Sequence, residues 1–394
     1  MTVVIQGGPG MSVQPLVSGV ANLFGQLRPQ SDLLMFEQRG VGVNTPNLSC
    51  SVAPAFASVQ PSVFKAQAEE CLAQYKAQGI HLADFNTRAN ADDVASLVKS
   101  LGYEQANLYG MSYGSRVAQE VVRRHPALVR SVILDGVLDP AESWASAQTK
   151  YMLHTLTRFG QACVAAGQCK EADLPDRIQR DADLIDSLGL TFPAYSAGQE
   201  EYLPLTGDFF LSYVHNLAYA AHGMLYLDQQ LGKIEQRDIE TLSGLPWDAR
   251  NLWSGLNMGA FFAFACQDNA IDAASIEAAH AGLLPVFRRR GDLYKNLAGM
   301  CAEAGLTPAP DALTPIGGNV PMLLISGRYD AITPPELAER VAARFPNSKH
   351  VIFEDGGHVN GTGSECGAFT MLYFLNTLTV PDTSCAANRS LSGR

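Results

Sequence analysis

The chain has 394 residues, of which 47% are hydrophobic and 17% charged, and a formal net charge of −11. That length suits one large α/β domain carrying an insertion, and no uninterrupted apolar run of about 18 residues marks a membrane span. The acidic balance excludes a nucleic-acid surface, and the one basic cluster, Arg288-Arg289-Arg290, reads as a solvated helix face.

The first predicted element is an apolar strand over 2–5, which runs into the turn "QGGPG". The opening "MTVVIQGGPG" has no basic stretch followed by a long apolar one, so it is not a signal peptide; either the start is trimmed or the protein stays inside. A strand follows at 32–36, then a helix over 90–101 with Val94, Leu97, Val98 and Leu101 on one face. The strand at 106–109 leads into a helix over 115–124, which the His125-Pro126 pair terminates. A further strand is expected at 131–134. From 142 to 314 the pattern changes: strands are expected to vanish, and helical segments follow at 148–159, 176–188, 208–231 and 270–284. After "LTPAPDALTPIGGNVP" the strands resume at 321–326 and 350–353. Alternating strands and helices predict an α/β fold with a mostly parallel sheet. Its core is expected from 1–141 and 315–394, with 142–314 inserted as a helical cap.

Eight cysteines, at 50, 71, 163, 169, 266, 301, 366 and 385, form no C-x-x-C pair and lack a histidine at zinc-finger spacing. Paired as sequential neighbours they give Cys50–Cys71, Cys163–Cys169, Cys266–Cys301 and Cys366–Cys385, although sequence alone leaves the connectivity open. Such use of cysteine fits a secreted or periplasmic protein, with the cytoplasm as the alternative.

One stretch carries chemistry. In "ANLYGMSYGSRVAQEVV" a serine sits between two glycines where a strand turns into a helix. Glycines allow a turn that a Cβ would block, so Ser112 is held above the sheet at a helix N-terminus, beside the N–H of Tyr113. A nucleophilic serine needs a base and a group to orient it. Asp330 follows the strand in "LLISGRYDAITPP", and His358 follows the next in "HVIFEDGGHVNG". All three fall past the carboxyl ends of strands, where they can converge. Asp355, three residues before His358, is the weaker candidate for the orienting acid. The glycines of "QGGPG" let backbone N–H groups meet a developing oxyanion, with Gly8 the donor opposite Tyr113. No metal or other cofactor is implied, because such a triad is complete without one.

These motifs resemble the α/β-hydrolase peptidases of the proline iminopeptidase and tripeptidyl aminopeptidase group. "IQGGPG" resembles the family's H-G-G-P-G oxyanion loop, "FEQRGVGVN" its D-Q-R-G-x-G-x-S loop, and "GMSYGS" its nucleophile elbow. "GRYDAITPP" and "GGHVNG" resemble the acid and base loops, and "SECGAFTMLYFLNTLTVPDTSC" the C-terminal segment of the tripeptidyl aminopeptidase branch. The resemblance implies a Ser112, Asp330, His358 triad, oxyanion donors at Gly8 and Tyr113, and a structural Arg39. Gln6 replaces the histidine of proline iminopeptidases, as in the tripeptidyl branch, and Glu37 replaces an aspartate. The family's β-hairpin ahead of the first strand has no counterpart here, which raises the expectation of a truncated start. Family members hold the substrate ammonium with cap carboxylates, and "FFAFACQDNA" makes Asp268 the candidate; the plainer reading is a helix cap. Phe261, Phe262 and Phe264 either line an apolar pocket or belong to the core.

The expected activity is therefore a serine exopeptidase that releases short amino-terminal pieces from peptides through an acyl-enzyme. A carboxylesterase on the same triad is the alternative, and a binding module on an inactive hydrolase scaffold the third reading. The expected partner is a peptide substrate, with no nucleic acid and no membrane span; the oligomeric state is open.

Overall fold

The computed structural model describes residues 1–27, 31–50, 61–196, 199–251, 255–269, 271–389 and 391. Its centre is a six-stranded sheet formed by β1 (Thr2–Ile5), β2 (Leu33–Phe36), β3 (Ala106–Met111), β4 (Val129–Asp135), β7 (Met322–Gly327) and β8 (Ser348–Phe353). The strand order is β2-β1-β3-β4-β7-β8, and every pairing is parallel. Every residue of β1, β3 and β7 is buried. Continuous burial of this kind requires cover on both faces, which is why these strands read as apolar runs rather than as alternating ones.

Side chains along each strand still alternate between the two faces. Val3, Ile5, Leu108, Leu134 and Leu324 join one core cluster, with Val94 and Val98 of the helix Thr87–Ser100 and Val117 and Val121 of the helix Tyr113–Arg124. Val4, Tyr109, Ile133, Leu323 and Ile325 join another, with Phe24 of Val17–Leu27 and Met371 and Leu375 of Glu365–Thr377.

Between β4 and β7 the chain is mainly helical, with a core of its own built on Met152, Leu156, Phe159, Phe209, Phe210, Leu227 and Phe287. Three expectations for this segment are corrected. Strands do not vanish: β5 (Thr191–Ser196) and β6 (Gln199–Pro204) form an antiparallel hairpin, which follows a helix closed by Gly189 in the left-handed conformation. The helix expected over 208–231 is two, Gly207–Leu217 and Ala221–Glu235. The break seats Gly223 against the Leu217 carbonyl, where a Cβ would lie 2.2 Å from the oxygen. Nor is the arginine cluster a solvated face. Arg288 is exposed, but Arg289 pairs with Asp186 at 3.2 Å and Asp208 at 3.0 Å, and Arg290 is buried. The helix Met258–Asp268 packs within the cluster that covers the sheet.

The four sequential disulfides are those formed: Cys50–Cys71, Cys163–Cys169, Cys266–Cys301 and Cys366–Cys385. Cys266–Cys301 ties Met258–Asp268 to the helix Pro285–Glu303 across 35 residues of chain. Closing a loop of that length in the unfolded chain is worth about 3–4 kcal/mol. A Cys266→Ala, Cys301→Ala double variant is therefore expected to lose about that much stability in denaturant titration. An unchanged midpoint would show the bridge contributing nothing. Among the described residues no helix is long and apolar enough to cross a membrane.

Candidate active site

Ser112 has φ 51° and ψ −122°, a conformation that side chains rarely adopt. Its neighbours explain how the chain reaches it. A Cβ on Gly110 would lie 2.4 Å from the Gly114 carbonyl oxygen, and one on Gly114 would lie 2.2 Å from that of Ile5. The elbow is therefore pressed between β3 and the end of β1, and only glycine fits on either side of Met111–Tyr113. The Ser112 N–H donates to the Asp135 carbonyl at the end of β4, 2.8 Å away.

His358 Nδ1 lies 2.8 Å from Asp330 Oδ2. The Asp330 side chain is fully buried and accepts from the N–H groups of Ile332 and Thr333, each at 2.8 Å, and from the Thr333 hydroxyl at 2.7 Å. It thus faces the imidazole as a carboxylate fixed by three protein donors. Asp355 instead accepts from Arg389 Nε at 2.6 Å, so the structure brings Asp330 to His358 and turns Asp355 away.

Three further groups hold the histidine. Asp135 accepts from the N–H groups of Asn360 at 2.8 Å and Gly361 at 2.7 Å, which pins the loop just after His358. Burial pushes its carboxyl up to about 6. Gly136, at φ 70°, leaves the imidazole room: a Cβ there would stand 3.0 Å from Cε1. Tyr219, in the break between the two helices noted above, accepts the His358 N–H at 2.7 Å and sets its ring edge-on to the imidazole at 5.4 Å. Burial pulls the His358 pKa down, but the charge and hydrogen bond of Asp330, with the charge of Asp135, raise it above its ordinary value overall.

The glycine loop is held just as firmly. Gly7 abuts Ser112, whose Cβ would lie 2.8 Å from a Cβ at position 7. Buried Gln38 donates to the carbonyls of Gln6 at 2.8 Å and Gly7 at 3.0 Å and accepts from the Gly10 N–H at 3.2 Å. Glu37 accepts from the Val13 N–H at 3.0 Å, and Gln6 Oε1 from the Gly7 N–H at 2.8 Å. Gly8, at φ 115°, opens on the same cleft as Ser112, and its N–H has no acceptor among the described residues. Tyr113 is the first residue of its helix, so its N–H has no intrahelical acceptor. Gln38, Asp135, Thr333 and Tyr219 were not singled out from sequence. An acid at the end of "VILD" was the only hint of Asp135. A Gln38→Leu variant, which frees the loop, is expected to lower kcat by about 10²-fold, near the cost of one lost oxyanion donor. A rate within twofold of wild type would remove Gln38 as a positioning residue.

The cleft over Ser112 encloses about 840 Å³ of empty space, mouth included, and is walled by Leu138, Trp144, Phe261, Phe262, Leu297 and Tyr219 among others. Phe261 and Phe262 thus line it, whereas Phe264 is buried against the Tyr113 ring at 5.8 Å. Asp268 is not in this cleft, and the expectation that it receives a substrate ammonium is corrected. Its side chain is buried beneath Tyr113: Oδ2 accepts from the hydroxyls of Thr87 at 2.5 Å and Tyr113 at 3.0 Å and faces Arg116 at 3.7 Å. A carboxylate so paired braces the elbow helix and lies outside the Ser112 cleft. Arg39, read as structural, donates to Asp93 Oδ1 at 2.8 Å and to the Asp84 carbonyl at 3.1 Å, tying the 37–48 loop to the helix Thr87–Ser100 and to the turn before it. Among the described residues no group of three or more His, Cys, Asp or Glu is placed to hold a metal ion.

A strained-elbow serine on an apolar cleft, an acid-oriented imidazole and two free amides are the parts that acyl transfer requires. Comparison with known proteins agrees at the level of family. The family model of the alpha/beta hydrolase fold matches residues 3–361. The chain is similar to the hydrolase YuaR of Escherichia coli (strain K12), 26% identical over 182 residues, or 42% of this chain and 35% of that protein. It is also similar to the serine protease Hip1 of Mycobacterium tuberculosis (strain ATCC 25618 / H37Rv), 26% identical over 206 residues, or 47% of this chain and 39% of that one. It thus spans well under half the length of these curated relatives. Among solved structures it is similar to a proline iminopeptidase of Mycobacterium smegmatis, with 15% identity, a TM-score of 0.44, and 96% and 89% of the two chains covered. With the family model spanning most of its length, the chain belongs to the alpha/beta hydrolase family.

Proposed function

We propose that this protein is a serine exopeptidase that releases short amino-terminal pieces from peptides through an acyl-enzyme on Ser112. Ser112 Oγ attacks the scissile carbonyl, His358 takes the hydroxyl proton, and the N–H groups of Gly8 and Tyr113 receive the oxyanion. Asp330 fixes the imidazole tautomer and stabilises its charged form. His358 then protonates the departing amine, and water releases the acyl group by the same steps. The observation that carries this reading is the 2.8 Å Asp330–His358 hydrogen bond, together with Asp135, which takes the N–H of the strained Ser112 elbow on its carbonyl and pins the loop after His358 with its carboxylate. Peptide chemistry is supported by the motifs and by the likeness to a serine protease. In this account residues 142–314 form the cap, and the four disulfides belong to a secreted or periplasmic protein.

One observation favours the carboxylesterase alternative. With Asp268 committed elsewhere, no carboxylate lines the cleft among the described residues, so no anionic side chain there pairs with a free amine. The test compares a short alanine- or proline-ending chromogenic amide bearing a free amino terminus with its acetylated twin and with the matching ester. Cleavage of the free-amine amide with refusal of the twin establishes the exopeptidase. Turnover of the ester alone replaces it with the esterase.

A further inference from the structure

Three arginines are buried among the described residues: Arg116, Arg177 and Arg290. Arg116 faces Asp268 and donates to two backbone carbonyls, and Arg177 is bracketed by Asp228 and Glu235, each at 2.7 Å. Arg290 has no carboxylate partner among the described residues, and its Nε and Nη2 have no hydrogen-bond acceptor. It hydrogen-bonds the Tyr294 phenol, whose own proton goes to Gln148. A buried, unpaired cation is among the most costly features a protein can carry, the more so in a chain with a net charge of −11. A buried water would satisfy its donors but not its charge.

Beside it lies a second unsatisfied group. His215, on Gly207–Leu217, which packs against Pro285–Glu303, is buried with both ring nitrogens unpartnered. Burial and then the positive charges of Arg290 and His358 hold its pKa well below the ordinary value, and no carboxylate offsets them to a comparable degree. His215 meets Tyr219 edge-on at 5.5 Å, and Tyr219 and Tyr294 both wall the Ser112 cleft. Two packed helices thus each carry a buried group with unused nitrogens, and each group meets a tyrosine that walls the cleft.

We propose that Arg290 and His215 form a receptor for a small monovalent anion, a carboxylate or a halide, behind the tyrosine wall of the cleft. The anion supplies the missing negative charge and accepts from the guanidinium and the imidazole N–H. It arrives either as a free ion or as the carboxylate of the substrate itself. Only the second source rests on the hydrolase reading.

The first test needs no turnover. At constant ionic strength, set by a bulky sulfonate, chloride or formate is substituted stepwise and the unfolding midpoint of the whole protein is followed. Wild type is expected to gain several degrees, saturably, because the anion binds the folded state alone. Arg290→Met is expected to show no such gain and to melt no lower than wild type in the sulfonate. His215→Phe, the second variant should Arg290→Met not fold, is expected to need about tenfold more anion. No response in wild type, or parallel responses in wild type and the variants, overturns the proposal. Where turnover is found, kcat/KM is then compared for a substrate with a free carboxylate and for its amide. A drop of about tenfold for the amide, absent in Arg290→Met, identifies the substrate as the source. Equal activation of both by chloride identifies the free ion.

Discussion

A Ser112→Gly chain is expected to lose turnover by about 10⁵- to 10⁶-fold while melting above wild type. Deleting the nucleophile of a serine triad costs about that much, because the remaining groups have nothing to activate. The gain in stability comes from the backbone. A side chain held at φ 51° and ψ −122° costs about 1–3 kcal/mol, and glycine removes that strain. The greater freedom of glycine in the unfolded chain returns part of the gain, which leaves about 1 kcal/mol. Ser112→Ala is expected to be as inactive but to keep the strain. Turnover assays and thermal melts on the pair separate the two effects. A glycine variant that melts well below wild type would mean that the elbow is not strained.

The second large effect concerns pH. The base must be neutral to accept the serine proton, and His358 titrates above its ordinary value, with Asp330 and Asp135 outweighing burial. kcat/KM is therefore expected to fall as the pH drops through a midpoint higher than about 6.5. The stability linkage has the opposite sense. Because its folded pKa is raised, His358 contributes stability that is fully present below its unfolded pKa and is lost as pH rises through the folded one. Asp330→Asn is expected to lower kcat by about 10⁴-fold and to move the acid limb to lower pH, since the imidazole loses both its charge partner and its tautomer. Asp135→Asn is expected to move that limb the same way by less. An acid limb that stays in place in both variants would mean that another group controls the profile.

The parallel sheet was legible because its strands are buried on both faces and so read as short apolar runs, such as "TVVI" and "MLLISG". The paired glycines around Ser112 were legible for a local reason: Gly110 and Gly114 are both in contact with backbone. What could not be read depends on contacts far apart in the chain. Asp268 has the residue type and neighbourhood of an amine anchor, yet Thr87, Tyr113 and Arg116, far earlier in the chain, claim its carboxylate. The sequence "RRR" has one pattern and three environments, set by which helix each residue faces. Gln38 and Tyr219 act through their reach to loops more than 30 and 130 residues away, which no local pattern reports. The break at Tyr219 has no proline to announce it; it exists because Gly223 must close on Leu217.

The central claim is that Ser112 is an activated nucleophile, and the most direct measurement is peptide mass mapping after reaction with a fluorophosphonate. One adduct on the peptide containing Ser112 is expected, absent in Ser112→Ala and formed far more slowly in His358→Ala. A protein that melts cooperatively yet takes no label, or takes it on another residue, would contradict the account.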